Sequence, residues 1–387
     1  MRRSFFLILS CFFLNGIAAK EQQSSKLRFF NLDLHISVIA DVKNIFESLG
    51  HEVVNWSISD HTWVFGKKRD VVDVVNERTC SGLNKEMCDR FYERYKRFLD
   101  QFDGFIVTHT PSLALLYEKF NKPIIVVNST RYEYPFTRNP ELWQWLNEYL
   151  KDGVKNNRIF IVSNNKGDSN YLYYYTGIES EVIPSLCLYT NLKYRGIHNK
   201  FYCHGPSDAG AFDQDWKKIS KRMGLFASLP WGYTWQDLYD LKGVVHFPYQ
   251  ISTMSMFEQY SANVPLFVPS KEFLFQLHKL YPKNILAHLS REPDSLSKRL
   301  PPEDLNNVLN DNVVKRWIEW ADYYDTENMP YIQHFNSFEE LKRLLREVDC
   351  IEISKKMQEH NKNRQAMVFE KWRGILKKIY EALKRQI

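Results

Sequence analysis

The sequence lacks most of the short motifs by which nucleotide-dependent and hydrolytic enzymes are recognised. It has no GxxxxGK(S/T) phosphate loop, no GxGxxG dinucleotide fingerprint and no GxSxG nucleophile elbow. Its six cysteines show no CxxC or CxxH spacing, which argues against a zinc site. After the first residues, no apolar run reaches the roughly 20 residues that a membrane span needs. These absences argue against P-loop nucleotidases, α/β hydrolases and multi-span membrane proteins.

The composition is that of a globular protein of about two domains. The chain has 387 residues, of which 44% are hydrophobic and 25% charged. The aromatic share is high, at 15%. Core packing and sugar- or base-stacking surfaces both explain such a share, and composition does not decide between them.

The amino-terminal residues predict a secretory signal. Arg2 and Arg3 precede an apolar run from Phe5 to Leu14, and small residues follow at 16–19. We expect cleavage near residue 19, with a short signal-anchor as the alternative. Cleavage would lower the formal net charge from +6 to +4, because it removes two arginines and no acid. The predicted location is the ER or Golgi lumen, or outside the cell.

An oxidising compartment predicts disulfides. Cys11 lies in the signal, which leaves five cysteines. Cys80 with Cys88 is the best predicted pair, Cys187 with Cys203 is a weaker one, and the odd number leaves at least one thiol free. Two glycosylation sequons fit the same compartment, Asn55-Trp56-Ser57 and Asn128-Ser129-Thr130.

The order of elements predicts an α/β fold. Strand, helix, glycine stop and strand follow one another from Leu27 to Trp56, and continuous apolar strands recur, as parallel sheets covered on both faces require. We expect two Rossmann-like lobes whose parallel sheets face a central cleft. The predicted lobes are 27–185 and 186–348.

The last segment, 349–387, predicts a basic amphipathic helix. From Lys355 to Ile387 there are ten Lys or Arg against three acids. Apolar residues recur at helical spacing, at Val368, Trp372, Ile375, Ile379 and Leu383. We expect the apolar stripe to pack against the two predicted lobes. Peripheral contact of the basic face with a membrane is the alternative.

One stretch, from Gly243 to Ser270, has the order of a ligand site. A buried strand ends in a polar loop that opens a helix, and such helix ends bind phosphates through free N–H groups. Hydroxyl groups of Ser252, Thr253 and Ser255 add donors. Glu258, farther along this helix, could accept hydrogen bonds from a ribose diol. An exposed helix residue is an equal alternative on pattern alone.

This stretch resembles the nucleotide-sugar segment of GT-B glycosyltransferases. The resemblance rests on Ser252–Ser255, on Phe257-Glu258-Gln259-Tyr260 and on the turn from Ser261 to Pro265. It implies that Glu258 holds the donor ribose. Leu229–Trp235 resembles the family's turn near the base, which implies a contact from Tyr233. A second glutamate found in many retaining members is absent, since Ile251 stands seven residues before Glu258.

The first lobe carries the same resemblance. The stretch from Phe102 to Val127 is similar to the family's acceptor-side strand, histidine-containing loop and next strand, and Ile183-Pro184-Ser185 is similar to its hinge. Instead of a glycine-rich first loop the chain has Asn31–His35. The candidate bases are His109, His35 and Asp33, each with a structural role such as capping as the alternative.

The diphosphate needs positive partners. We expect them from Lys193 or Arg195 in the segment that crosses between the lobes, and from the loop Gly205-Pro206-Ser207. The resembled architecture needs no metal and no cofactor besides the donor. Asp213-Gln214-Asp215 matches a metal-binding D-x-D, but it opens a helix, where aspartates cap and meet the dipole.

The predicted function is therefore transfer of a sugar from a nucleotide-sugar donor to a hydroxyl of a glycan, protein or lipid acceptor, without a nucleic-acid partner. A protein of the same fold that binds a glycan or nucleotide sugar without turnover is the main alternative. A two-lobed receptor with no affinity for nucleotides is the third.

Overall fold

The structure, a computed structural model, describes residues 26–205, 210–230, 232–289 and 300–385. The predicted signal, Trp231 and the Pro206-Ser207 part of the predicted diphosphate loop lie outside the described residues. The described residues form two lobes, each built on a parallel sheet. The predicted α/β fold with two lobes, each built on a parallel sheet, is confirmed by these sheets.

The first lobe contains six parallel strands in the order β2-β1-β3-β4-β5-β6. Consecutive strands β1 and β2 lie on one side and β3 to β6 on the other, so the order reverses between β1 and β3. Ligands bind α/β sheets outside the carboxyl ends of strands at such a reversal. The strands are Arg28–Asp33 (β1), Glu52–Ser57 (β2), Gly104–Val107 (β3), Ile124–Asn128 (β4), Ile159–Ser163 (β5) and Glu181–Val182 (β6).

Helices cover both faces of this sheet. Two of them, α2 and α4, were not predicted. The helix α2 does have an apolar stripe, formed by Met87, Phe91, Tyr95 and Leu99, whereas the buried face of α4 includes Gly167 and Asp168; asparagine N-caps mark the start of each helix. The apolar pattern of Ser112 to Phe120 predicts a helix, and the structure has a buried 3-10 segment there, Pro111–Tyr117. The α-helices are Ile36–Ser48 (α1), Lys85–Leu99 (α2), Pro140–Lys155 (α3) and Lys166–Thr176 (α4).

The second lobe contains four parallel strands in the order β10-β9-β8-β7. Phe226 forms a parallel bridge to Phe201 on the side of β7 that faces away from β8. The order in which the chain adds strands to the sheet therefore reverses at β7, as it does between β1 and β3 in the first lobe. The strands are His198–His204 (β7), Leu241–His246 (β8), Leu266–Pro269 (β9) and Gln333–Phe335 (β10). The helices are Ala211–Met223 (α5), Trp235–Tyr239 (α6), Met254–Ser261 (α7), Lys271–Leu280 (α8), Asp311–Glu319 (α9) and Phe338–Glu347 (α10).

A single long helix, α11 (Cys350–Lys384), joins the lobes. Its 35 residues span about 52 Å. Asn361 donates to the carbonyl of Tyr260 in the second lobe, whereas Trp372 packs edge-on against Phe46 in the first. The predicted apolar stripe is buried from Val368 to Ile379, as expected. In the described part of the chain, every helix is too short or too polar to cross a membrane.

Two buried charges hold the segment that connects the lobes. Arg364 of α11 is 2% exposed and donates to the carbonyl of Ser185, to Ser261 Oγ (3.1 Å) and to Asn328 Oδ1 (2.9 Å). Asp41 of α1 accepts from the N–H of Cys187 at 2.6 Å and from that of Leu186 at 3.2 Å. The crossing segment is therefore fixed from both sides, since such buried charges are costly to leave without partners.

The predicted disulfides are wrong for this structure, in which all five described cysteines are free. Cys80 lies buried, with its thiol donating to the carbonyl of Glu77, while Cys88 lies on α2. Cys187 is buried in the crossing segment, whereas Cys203 is partly exposed in β7. Closeness along the chain did not bring these thiols together, because the members of each predicted pair belong to different elements.

The sequon at Asn128 is not accessible. Asn128 is 0% exposed, and its amide donates to Ser163 Oγ at 3.1 Å and to the carbonyl of Asp168 at 2.9 Å. A glycan cannot be attached to this side chain in the folded state.

We predict that Arg364→Met lowers the free energy of unfolding by about 3–5 kcal/mol, because three acceptors lose a buried charged donor. Urea unfolding monitored by circular dichroism measures this loss. Lys362→Met is the matched control, because Lys362 is exposed on the same helix and should change stability by less than about 0.5 kcal/mol. Equal effects of the two substitutions would contradict the role given to Arg364.

Candidate functional site

A cavity of about 220 Å³ lies where the two lobes meet. Its first wall consists of residues that follow the carboxyl ends of β1, β3, β4 and β5, and its second wall is the loop between β8 and α7. This is the edge at which a parallel sheet binds ligands. The lining residues of the first lobe are His35, Val38, His109, Ser129, Thr130, Asn164 and Asp168, and those of the second are Tyr249, Gln250, Ser252, Thr253, Met254 and His288.

Asp33 organises the first wall from beneath. Its Oδ2 accepts the N–H groups of Thr108 (2.7 Å), His109 (2.9 Å) and Thr110 (3.1 Å), and its Oδ1 accepts that of Leu34 at 2.6 Å. Asp33 is fully buried and does not line the cavity. The structure therefore corrects the expectation of a base at Asp33: both oxygens are held by backbone N–H groups, so Asp33 positions the loop that carries His109.

The other two predicted bases, His35 and His109, meet in the cavity. Their ring centroids are 5.1 Å apart. His35 Nδ1 is buried and has no hydrogen-bond partner among the described residues. Burial lowers the pKa of His35 below its ordinary value of 6.5, although Asp33 acts in the opposite direction. A neutral imidazole with an unoccupied nitrogen suits a proton acceptor.

The amino end of α7 forms part of the second wall, as the sequence predicted. Thr253 is the N-cap but its side chain caps no N–H, and the N–H groups of Met254 and Ser255 have no acceptor among the described residues. Ser252 and Thr253 line the cavity, whereas Ser255 turns its hydroxyl to Thr253 Oγ1 at 3.3 Å. Unpaired N–H groups and the helix dipole favour an anion at this end.

The electrostatic surroundings also favour an anion. Asp168 is the one acid that lines the cavity among the described residues, and Arg131 neutralises it through a buried pair at 2.7 Å. Beneath the helix end, burial raises the pKa of Asp322 well above its ordinary value, and Ser252 bonds to its carboxyl group. A raised pKa disfavours the charged form of this carboxyl group, which weakens its repulsion of an anion bound at α7.

Arg131 also connects the lobes behind the cavity. It donates to the carbonyl of Leu289 at 2.9 Å, and its guanidinium lies 3.9 Å from the ring centroid of Trp317 in the second lobe. This cation–π contact is fully desolvated, which makes it stronger than a surface one. The wall that carries Asp168 is thus fixed against the second lobe.

Glu258 lies at the junction of the lobes but not in the cavity. It is 8% exposed, so the alternative of an exposed helix residue is wrong. Tyr189 Oη donates to Oε1, Trp235 Nε1 donates to Oε2 at 3.0 Å, and Ser37 of α1 also bonds to the carboxylate. Burial raises the pKa of Glu258, although these donors act against it. Both oxygens therefore already have partners.

Three aromatic rings cover Glu258. Phe65, from a loop of the first lobe, lies 5.3 Å from Tyr189 and 5.6 Å from Trp235, measured between ring centroids. Tyr189 and Trp235 are 5.9 Å apart. We refer to Phe65, Tyr189 and Trp235 as the aromatic cluster. A ribose could reach Glu258 only by replacing donors that belong to this cluster.

The predicted basic partners of the diphosphate lie elsewhere. Lys193 points to the carbonyl of Ser261 (3.4 Å), at the carboxyl end of α7. Arg195 pairs with Asp240, which precedes β8 and so lies at the opposite edge of the sheet from the cavity. The crossing segment runs along the far end of α7, so neither side chain reaches the helix end that could hold phosphate.

The remaining predicted residues are near the carboxyl edge without lining the cavity. Gly205 follows β7 directly, and a Cβ there would meet nothing within 4 Å. Tyr233 packs 5.6 Å from Tyr202, ring centroid to ring centroid. In the D-x-D match, Asp213 pairs with Lys217 and Asp215 with Lys218. The described residues contain no group of three or more His, Cys, Asp or Glu placed to hold a metal ion.

Sequence reasoning missed His288 and the pair Arg131–Asp168. His288 lies in the stretch 281–331, whose Pro, Asn and Asp content predicts loops with short helices. It reaches the cavity because its N–H bonds to the carbonyl of Tyr249 and its ring lies 5.1 Å from the Tyr249 ring. Its position results from tertiary contacts, so no local signal could have identified it. For Asp168, the N-cap Asn165 three residues earlier was such a signal.

Comparisons with known proteins give one matching family model and several solved structures with low similarity to this chain. The model of a family described as RNA cap guanine-N2 methyltransferase matches residues 169–369, just over half of the chain, from within α4 to within α11. No curated protein matches.

Solved structures similar to the chain include the calicheamicin glycosyltransferase CalG4, with 8% identity, a TM-score of 0.41, and 91% of this chain and 98% of that one covered. The glycosyltransferase of kitacinnamycin has 8% identity and a TM-score of 0.42, and the match covers 92% of this chain and 99% of that one. S. aureus MnaA with UDP has 12% identity and a TM-score of 0.41, and the match covers 79% of this chain and 93% of that one. Likenesses this weak carry no argument about activity.

We predict that Asp33→Asn lowers the free energy of unfolding by about 3 kcal/mol, because an amide N–H₂ would face backbone donors that a carboxylate now satisfies. Thermal and urea unfolding measure the change. Asp89→Asn is the control: Asp89 is exposed and pairs with Lys119 at 2.9 Å, so its loss should cost at most about 1 kcal/mol. An Asp33 variant as stable as this control would overturn the positioning role.

Proposed function

We propose that this chain, which belongs to the RNA cap guanine-N2 methyltransferase family, is a group-transfer enzyme whose cavity is built to move a sugar from a nucleotide-sugar donor to a hydroxyl acceptor. One observation carries the proposal. The unpaired amino end of α7 faces two histidines across a cavity in which no acid is left unpaired.

The chemistry of sugar transfer fits this arrangement. An imidazole, His109 or His35, takes the proton of the acceptor hydroxyl as its oxygen bonds to the anomeric carbon. The bond from that carbon to the donor phosphate breaks, and the diphosphate leaves with the electron pair. The negative charge that develops on it is stabilised by the N–H groups of Met254 and Ser255 and by the helix dipole.

The size of the cavity limits what it can hold. At about 220 Å³ it is smaller than the roughly 300–1,000 Å³ of most ligand pockets. It therefore suits the diphosphate and the transferred group, while the nucleoside extends along α7 toward Glu258, about 7 Å farther along the helix. There the ribose diol would take the place of Tyr189 or Trp235 as donor to the carboxylate.

Methylation of an RNA cap guanine is the second candidate, and the family match favours it. The two candidates differ in their leaving group. A methyl donor of the sulfonium type is cationic and leaves as a neutral thioether, so an anion-stabilising helix end gives it no help. The phosphates of a cap could use that helix end, but as part of the acceptor.

The proposed compartment follows from the predicted amino-terminal signal and is part of the proposal. A lumenal or secreted protein would meet glycans, glycoproteins and lipid-linked sugars as acceptors. A cap methyltransferase would need to meet RNA instead, so localisation of the full-length chain separates the two candidates independently of catalysis.

A thermal-shift panel tests which donor the chain binds. We expect nucleoside diphosphates and nucleotide sugars to raise the unfolding temperature, by an amount that corresponds to about 2.7 kcal/mol at a hundredfold excess over Kd. S-adenosylmethionine and a cap dinucleotide should have no effect. Stabilisation by these two compounds but not by any nucleoside diphosphate would replace sugar transfer with cap methylation.

We predict that His109→Ala and His35→Ala lower kcat by about 10²–10⁴, with little change in donor affinity, because the imidazoles act on the acceptor proton. His198→Ala, at an exposed position away from the cavity, is the control. The base must be unprotonated, and burial lowers the pKa of His35. If His35 is the base, wild-type turnover should fall only as the pH drops below 6.5. Variants that lose donor affinity and turnover equally would show that the histidines only shape the loop.

A further inference from the structure

A loop of the first lobe exposes an unusual amount of apolar surface. Residues 61–71, here termed the apolar-basic loop, follow β2, and three of their apolar side chains are turned to solvent. Trp63 is 53% exposed, Val64 44% and Val71 82%. Single exposed apolar residues need no explanation, but three within nine positions of one loop are a local concentration of exposed apolar side chains.

The same loop carries unneutralised positive charge. Lys67 and Lys68 are exposed and form no ion pair with a described residue. Arg69 pairs with Asp60, and the carboxylate of Asp70 turns inward to accept the N–H of Ser57 at 2.7 Å. The outer face of the loop is therefore cationic as well as apolar.

The loop is held from below, so its outer face has a fixed direction. Asp70 donates its own N–H to the carbonyl of Ser57 at 2.8 Å, which attaches the loop to the edge strand β2. Phe65 packs into the aromatic cluster beneath. Gly66 has φ +64, a conformation that glycine adopts without strain and that turns the chain back after Phe65.

A second cavity, of about 240 Å³, opens at the base of this loop. Phe65, Lys67 and Lys68 form its loop side, and Lys43 of α1 and Asn55 of β2 lie opposite. The Oδ1 atom of Asn55 is buried and has no hydrogen-bond donor among the described residues. Two acids line the cavity as well, Asp70 and Glu47, and Glu47 pairs with Lys43 at 2.5 Å. Among the described residues, the positive charge open to a headgroup here is therefore that of Lys67 and Lys68 on the loop side.

The carboxyl-terminal helix supplies charge but not the apolar contact that membrane insertion needs. Its apolar stripe is already buried against the body, from Val368 to Ile379. From Lys371 to Arg385 it has six Lys or Arg and one acid, and this half packs on the first lobe through Trp372. Stable binding of a peripheral protein takes both apolar insertion and charge.

We propose that the apolar-basic loop docks this protein onto an anionic lipid surface, with Trp63, Val64 and Val71 inserted at the interface and Lys67 and Lys68 at the headgroups. Tryptophan is enriched at the level of the headgroups, and lysines beside a negatively charged leaflet add attraction. The unpaired charges of the loop are all positive and its one acid, Asp70, turns inward, so charge complementarity favours an anionic surface. The proposal is independent of which group the enzyme transfers and of the proposed compartment, because it concerns any leaflet that presents anionic lipid.

Vesicle co-sedimentation of the full-length chain tests this docking. The probes are vesicles of phosphatidylcholine alone and of phosphatidylcholine mixed with phosphatidylserine. We expect the wild type to prefer the anionic vesicles, and Lys67→Gln with Lys68→Gln to lower partition onto them roughly thirty-fold. Val71→Asp should abolish most of the binding. Because every variant retains the apolar amino-terminal residues, their own contribution cancels.

Matched controls separate docking from general effects. Leu280→Asp makes the same type of change at an aliphatic side chain that is 70% exposed on the second lobe. Lys221→Gln with Arg222→Gln removes two exposed charges from the end of α5. Both should bind like the wild type. Equal losses in control and loop variants, or no preference of the wild type for anionic vesicles, would overturn the proposal and leave the surface to a protein partner.

Discussion

The buried guanidinium of Arg364 determines how the two lobes meet. It contacts the crossing segment at Ser185 and the carboxyl end of α7 at Ser261, and it belongs to the helix that returns to the first lobe. Because one side chain ties all three, α7 cannot shift relative to the crossing segment without leaving a charge unpaired in the core. The amino end of the same α7 forms a wall of the inter-lobe cavity. The geometry of the candidate site therefore depends on a residue that lies outside it.

Three buried carboxylates, those of Asp33, Asp41 and Asp168, position the site and take no part in its chemistry. Asp33 holds the loop that carries His109, Asp41 holds the crossing segment, and Asp168 is paired with Arg131. Each is satisfied by N–H donors or a guanidinium, so the cavity itself presents imidazoles, hydroxyl groups and the end of a helix dipole. This division explains how a cavity near so many acids can still favour an anion.

Those parts of the fold that depend on local patterns could be predicted from the sequence. Continuous apolar runs such as Ile124–Asn128 predicted the parallel strands, and the polar loop before α7 predicted a helix end at the cleft. The apolar stripe from Val368 onward predicted a packed helix. In each case the signal and the structural element are the same few residues.

The errors concern relations between elements. Lys193 and Arg195 have the right chemistry for a diphosphate but lie along the wrong end of α7, which only the path of the crossing segment determines. His288 reaches the cavity through contacts with Tyr249, and Cys80 and Cys88 remain apart despite their short separation in sequence. Such outcomes depend on packing directions that a linear pattern does not contain.

The central claim is that a nucleoside diphosphate lies between the lobes with its phosphates on the amino end of α7. A crystal structure of the protein with UDP bound tests it most directly. The account predicts phosphate oxygens within hydrogen-bonding distance of the N–H groups of Met254 and Ser255, and ribose hydroxyls on Glu258 in place of Tyr189 or Trp235. Phosphates bound at any other surface, with the aromatic cluster still closed over Glu258 and the helix end empty, would contradict it.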